Sequence, residues 1–221
     1  MKLSFSHSST AILFALAWMI SPLGVEPLRA QAAPPQAAIR FANACSIEGK
    51  VVFAEDGRSM RTDGFSAGEN TSAIGTPAGS HRFTVSATGA KPADATLNLQ
   101  ANTATMLIAY SKATTDPVTQ KTVQELQLFA QADPARQKGK RFFLLYLSSR
   151  PSAEIIVNGK PRSLPALHLV PADEVSRGEV RIEEGGKSVL DFVANENGNF
   201  HVILFDKPDG SLNGILLPDY G

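Results

Sequence analysis

Two-residue turn signals limit this chain to short strands. Asp56-Gly57, Asn158-Gly159, Gly185-Gly186, Asn197-Gly198 and Asp209-Gly210 suit backbone positions with positive φ, which the tight turns of β-hairpins require. Between such signals lie short runs rich in β-branched and aromatic residues. In "HRFTVSAT" (81–88), Phe83 and Val85 fall on one face, and in "ATLNLQA" (95–101), Leu97 and Leu99 do the same. Alternation of this kind is the mark of a strand with one face buried. "TATMLIAY" (103–110) is apolar without a break and suits a central strand. "VQELQLFAQ" (123–131) suits a strand through Leu126 and Leu128, while Val123 and Leu126 would also fit a helix. Beyond the polar stretch "ADPARQKGKR" (132–141) the pattern resumes, from "FFLLYLSS" (142–149) to "GILLP" (214–218).

The two series read as one unit used twice. Laying Asp56-Gly57-Arg58 over Asn158-Gly159-Lys160 places "IRFANACSIEGKVVFAEDGR" over "RFFLLYLSSRPSAEIIVNGK" without a gap. "ATLNLQAN" then matches "SVLDFVAN", and "TMLIAY" matches "NFHVIL" after a slip. The expected fold is therefore all-β: two tandem, small, immunoglobulin-like antiparallel β-sandwiches of roughly seven strands each, joined by a polar linker. A single irregular sandwich whose hairpins align by chance is the alternative. The expected boundaries are a first sandwich over 38–131, a linker over 132–141 and a second sandwich over 142–221. "TPAGSHRFTV" (76–85) is expected to be a tight turn feeding the fifth strand, with His81 on the surface.

The first residues have the order of an export signal. Lys2 precedes an apolar core, Ala11 to Ile20, followed by Pro22, Gly24 and the small-residue site Ala30-Gln31-Ala32. A core of about ten residues is too short to span a bilayer, which takes roughly 20. A signal peptide over 1–32, cleaved after Ala32, and a flexible tail over 33–37 are expected, giving a periplasmic or secreted protein with no membrane span after cleavage. The whole chain has 21 basic and 21 acidic residues; without Lys2, Glu26 and Arg29 it keeps 19 and 20. A net charge near −1 supplies no field that would favour nucleic acid. One cysteine, Cys45, excludes an intramolecular disulfide, and its apolar setting reads as a buried small hydrophobe.

Motifs that carry chemistry are sparse. No nucleophile elbow, phosphate loop, zinc pair or dinucleotide fingerprint occurs. No catalytic, cofactor or metal residues are assigned, and no cofactor is expected. His201 alternates with Phe200 and Val202 and is expected to face solvent. "DKPDGS" (206–211) reads as a plain hairpin turn. The one charge cluster is Arg136, Lys138, Lys140 and Arg141 in the linker. It reads as a solvated connector or as a contact for an anionic partner.

The series "IRFANA", "DGR", "TPAGSHRFTV" and "LNLQANTATMLIAY" resembles secreted β-sandwich domains of unknown function. Their repeats run strand, "PAG" turn, strand, then an apolar closing strand. The order is also similar to the F-type accessory proteins of alginate O-acetylation. Those have a signal peptide and two small β-sandwiches joined by a polar linker. The second unit departs, with "LVPADEVSRGEV" where the "PAG" turn should stand. The resemblance implies a non-enzymatic envelope protein, an interaction or adaptor module whose partners are envelope proteins engaged in polysaccharide modification. A carbohydrate-binding module that touches an acidic polysaccharide directly through the linker cations is the alternative.

Overall fold

The structure, a computed structural model, describes residues 35–132, 141–172, 178–194 and 198–220. The expected signal peptide and the linker cations Arg136, Lys138 and Lys140 lie outside them. The first series builds β1 (Gln36–Ala44), β2 (Val52–Glu55), β3 (Arg58–Ser59), β4 (Ile74–Pro77), β5 (Gly79–Ser86), β6 (Ala90–Lys91), β7 (Ala93–Leu99), β8 (Ala104–Thr115) and β9 (Thr122–Ala132). The second builds β10 (Arg141–Leu147), β11 (Ser152–Val157), β12 (Lys160–Pro165), β13 (Leu169–Pro171), β14 (Gly178–Glu184), β15 (Lys187–Ala194), β16 (Gly198–Asp206) and β17 (Leu212–Tyr220). The stretch over 123–131 is strand throughout, within β9. No helix occurs among the described residues, and the fold is all-β.

Sheet topology repeats between the halves. One pair of sheets is ordered β4-β1-β8-β9-β6 and β13-β10-β16-β17; the other is ordered β3-β2-β5-β7 and β12-β11-β14-β15. Strand for strand the orders coincide, apart from β6. That extra strand exists because the connection after β5 is long enough to reach β9. In the second half, Gly185-Gly186 at φ 56° and 78° turns β14 straight into β15.

Each half is a sandwich. Phe41, Phe53, Phe65, Phe83 and Val85 fill the first core, and Leu144, Tyr146, Ile155, Ile182, Phe200 and Val202 the second. Ring centroids of Phe41 and Phe53 lie 5.1 Å apart, and those of Phe53 and Phe65 5.5 Å apart, a range in which tilted and edge-on aromatic pairs attract. Cys45 is buried in the first core, and burial pushes its thiol up to about 12. It is a packing residue, as its apolar surroundings suggest.

The sheets are antiparallel except where β1 meets β8, β10 meets β16 and β6 meets β9. In the β1–β8 and β10–β16 pairs, strands of the facing sheet intervene before the chain returns beside its starting strand in the same direction. A parallel neighbour needs such a crossover. Strands at these centres are covered on both faces, and so their sequences run apolar without alternation. Met106, Leu107, Ile108 and Ala109 are all at most 1% exposed.

The second cover is the other sandwich. Pro34–Gly221 forms one unit, and a third apolar layer lies between its halves. Ala42, Ala44, Met106 and Ile108 of the first pack with Leu145, Leu147, Ile203, Phe205, Ile215 and Leu217 of the second. The order of layers is thus sheet, core, sheet, interface, sheet, core, sheet. This layer corrects the expectation for His201. It shares the outward face of β16 with Ile203 and Phe205, yet it is 1% exposed and its ring stacks on Phe143 at 5.1 Å. Alternation identified the face correctly; protein, not water, covers it.

One loop residue stands in a costly conformation. Leu167 has φ +62°, where an L side chain is disfavoured by about 1–2 kcal/mol. Its amide donates to the Tyr146 carbonyl at 2.8 Å, which holds the turn there, and its side chain is 42% exposed. Leu167→Asn is expected to stabilise the protein by up to about 1 kcal/mol, since Asn tolerates this region and little packing is lost. A urea midpoint that falls instead would show that the Leu167 side chain contributes more than its backbone strain costs.

Candidate functional site

The "TPAGSHRFTV" stretch does more than turn. Thr76 and Pro77 end β4 in one sheet, and β5 begins at Gly79 in the facing sheet. The corner carries the chain across the sandwich, and Gly79 takes φ +140° to do so. It also aims His81 at the end of the β2–β3 hairpin. Asp56 and Gly57 there have φ 48° and 80°, the left-handed pair that a two-residue hairpin of the primed type needs.

A compact polar cluster results. His81 Nδ1 lies 2.9 Å from Asp56 Oδ2 and 3.0 Å from Glu55 Oε1. His81 Nε2 lies 2.9 Å from the Pro77 carbonyl oxygen. The Thr76 hydroxyl donates to Glu55 Oε1 at 2.6 Å, and the Arg82 amide donates to Asp56 Oδ1 at 2.9 Å. The side chains of Glu55 and His81 are only 16% and 12% exposed, while Asp56 at 53% opens the cluster to solvent. One ligand atom from each of Glu55, Asp56 and His81 falls within 4.8 Å of the others, so these three residues could hold a metal ion.

Without an ion, both ring nitrogens of His81 face acceptors, an arrangement that favours the charged ring. Burial acts against the charged ring, but hydrogen bonds to Asp56 and Pro77 and the nearby carboxylates outweigh it, and the His81 pKa is raised. The Arg82 amide, followed by His81, holds the Asp56 carboxyl below its ordinary range. A raised imidazole contributes stability that is complete below its unfolded value of about 6.5 and lost as pH rises through the folded one. The lowered Asp56 contributes stability that is complete above its unfolded value and lost as pH falls through the folded one. With chelator present, the urea midpoint should therefore drop as pH rises above about 6.5 in the wild type, and His81→Gln should flatten that drop. Parallel profiles would show that His81 titrates alike in the folded and unfolded chain.

A second polar network closes the other sandwich. Tyr146 Oη donates to Asp206 at 3.1 Å, Ser148 Oγ and the Arg150 guanidinium also donate to Asp206, and Arg150 lies 3.6 Å from Glu184. Glu184 in turn accepts from the Leu212 amide at 3.0 Å. These bonds tie the end of β10 and the loop after it to the end of β16.

The sequence reading assigned no metal residues and placed His81 on the surface; the structure brings Glu55, Asp56 and His81 together and leaves the His81 side chain only 12% exposed. Glu55 is the last residue of β2 and Asp56 is already in the left-handed turn, where alternation no longer applies. An acidic pair directly before a hairpin glycine was the available signal. The linker group is not brought together as a site among the described residues: Arg141 opens β10, and its three companions lie outside them.

The fold is that of a duplicated β-sandwich protein in which, among the described residues, the first copy carries a polar cluster of Glu55, Asp56 and His81. No family profile matches the chain, and no curated protein is recognisably similar to it. Among solved structures, one described as a "putative cell adhesion protein" from Bacteroides uniformis aligns with 84% of this chain and 98% of its own, at 9% identity and a TM-score of 0.21. A likeness that slight carries nothing about this chain's role.

Proposed function

We propose that the protein is an exported, non-enzymatic interaction module of the cell envelope that serves assemblies modifying an acidic polysaccharide. The observation that carries this reading is the edge strand β15. It ends its sheet, and it presents Val193 at 66% exposure beside an open groove of about 440 Å³ lined by Glu179, Arg181, Asp191 and Phe192. An exposed apolar edge is a template for pairing with another chain, which proteins otherwise blunt. The interface layer between the sandwiches supports an adaptor role, because a shared apolar layer holds two surfaces at a set distance. The signal-like start of the chain and the resemblance to alginate O-acetylation accessory proteins support the compartment and the kind of partner. The glycan-binding alternative rests on Arg136, Lys138, Lys140 and Arg141.

The test is capture of partners from envelope extract by the tagged chain, beside a Val193→Lys variant. Enrichment of polysaccharide-modifying proteins that is lost in Val193→Lys supports the adaptor reading. Enrichment of glycan that depends instead on the four linker cations would replace it with direct sugar binding. Enrichment of neither would overturn both.

A further inference from the structure

The chain contains its own control for the Glu55, Asp56 and His81 cluster. Hairpin register equates the two sandwiches at this corner. The Arg82 amide donates to Asp56 Oδ1 at 2.9 Å, and the Arg181 amide donates to Asn158 Oδ1 at 2.8 Å. The Asp56 amide returns to the Arg82 carbonyl, and the Asn158 amide to the Arg181 carbonyl. Glu55 pairs with Phe83, and Val157 with Ile182. Glu55 therefore corresponds to Val157, Asp56 to Asn158, and His81 to Val180. Where the second copy closes its core with two valines, Val157 at 3% and Val180 at 1% exposure, the first sets a carboxylate and an imidazole. The fold does not require them, since its sister closes without them, and burying polar groups in such a place carries a desolvation cost.

We propose that Glu55, Asp56 and His81 form a binding site for a divalent first-row transition-metal ion of the zinc class. The ligands are His81 Nδ1 and one carboxylate oxygen each from Glu55 and Asp56, with water completing the shell on the side that Asp56 opens. Imidazole nitrogen with carboxylate oxygen suits such ions. Ligand atoms bonded at about 2.0 Å in a tetrahedral site stand about 3.3 Å apart. The two His81 contacts, at 2.9 and 3.0 Å, need only a slight opening to reach that spacing. Each ligand is already oriented by an outer partner: His81 Nε2–H by the Pro77 carbonyl, Glu55 by the Thr76 hydroxyl, and Asp56 by the Arg82 amide. Such outer bonds fix ligand tautomer and direction in metal sites. Two carboxylates, a neutral imidazole and a divalent ion also sum to zero charge. The site is independent of the partner reading above.

The test is calorimetric titration of the chelator-stripped chain with zinc chloride. The double variant Glu55→Val with His81→Val restores the sister copy's residues, and a retained urea midpoint in chelator shows that it is folded. The expected result is one ion per wild-type chain, no measurable binding to the double variant, and at least tenfold weaker binding to Thr76→Val, which loses only an outer bond. Wild-type binding no tighter than about 1 mM, or equal affinity in the double variant, would overturn the proposal.

Discussion

Ile203→Asp is expected to uncouple the two sandwiches. Ile203 is 0% exposed and belongs to the layer between the halves, with Leu145 and Ile215 beside it on the neighbouring strands. A carboxylate there has lost water among the apolar side chains of the layer. An uncompensated buried charge destabilises by about 3–5 kcal/mol. The two inner cores share no residue with this layer, so each sandwich keeps its own interior. Scanning calorimetry should show one cooperative transition in the wild type and two in the variant, the earlier at a lower temperature. One transition at an unchanged midpoint would show that the layer does not join the halves.

Phe41→Ala is expected to cost about 3–5 kcal/mol, the range for deleting a large aromatic ring from a packed core. Phe41 is 0% exposed, and its ring centroid lies 5.1 Å from that of Phe53 and 6.1 Å from that of Phe83. Its deletion removes the ring on which the other two converge. The companion measurement is Phe143→Ala. The ungapped alignment of the repeats makes Phe143 the partner of Phe41, but the structure puts it on the outward face of β10, stacked on His201 and 7% exposed. A site at the rim can relax around the loss, so the Phe143 cost should be the smaller of the two. Equal costs in urea unfolding would restore the ungapped register.

That register shows how far the repeat could be read. The hairpins superpose as aligned, with Asn158 and Gly159 at φ 48° and 79° against 48° and 80° for Asp56 and Gly57. Upstream, the inward residues are Ile39 and Phe41 in β1 but Phe142 and Leu144 in β10, one position away from the ungapped match. From the inward Leu144 to Asn158 the chain takes one residue fewer than from Phe41 to Asp56, and a shift of one residue exchanges the faces of a strand. Turn chemistry is local and survives such a shift in a sequence comparison; facing does not.

The sequence alone determined what depends on near neighbours. The dipeptides Asp56-Gly57, Asn158-Gly159 and Gly185-Gly186, with positive φ at both residues, placed their hairpins, alternation separated inward from outward residues in β5 and β7, and an unbroken apolar run marked β8 as a central strand. The isolated thiol was legible as a core residue for the same reason. Tertiary structure alone decided what covers each face and what lies beside each turn. His201 is buried because a second sandwich lies on its sheet, and Glu55, Asp56 and His81 meet because a sheet-crossing corner delivers β5 to the β2–β3 hairpin. Both outcomes depend on segments distant in the chain. Periodicity reports that a side chain faces away from its own core, and only the packing of whole sheets determines whether water or protein meets it there.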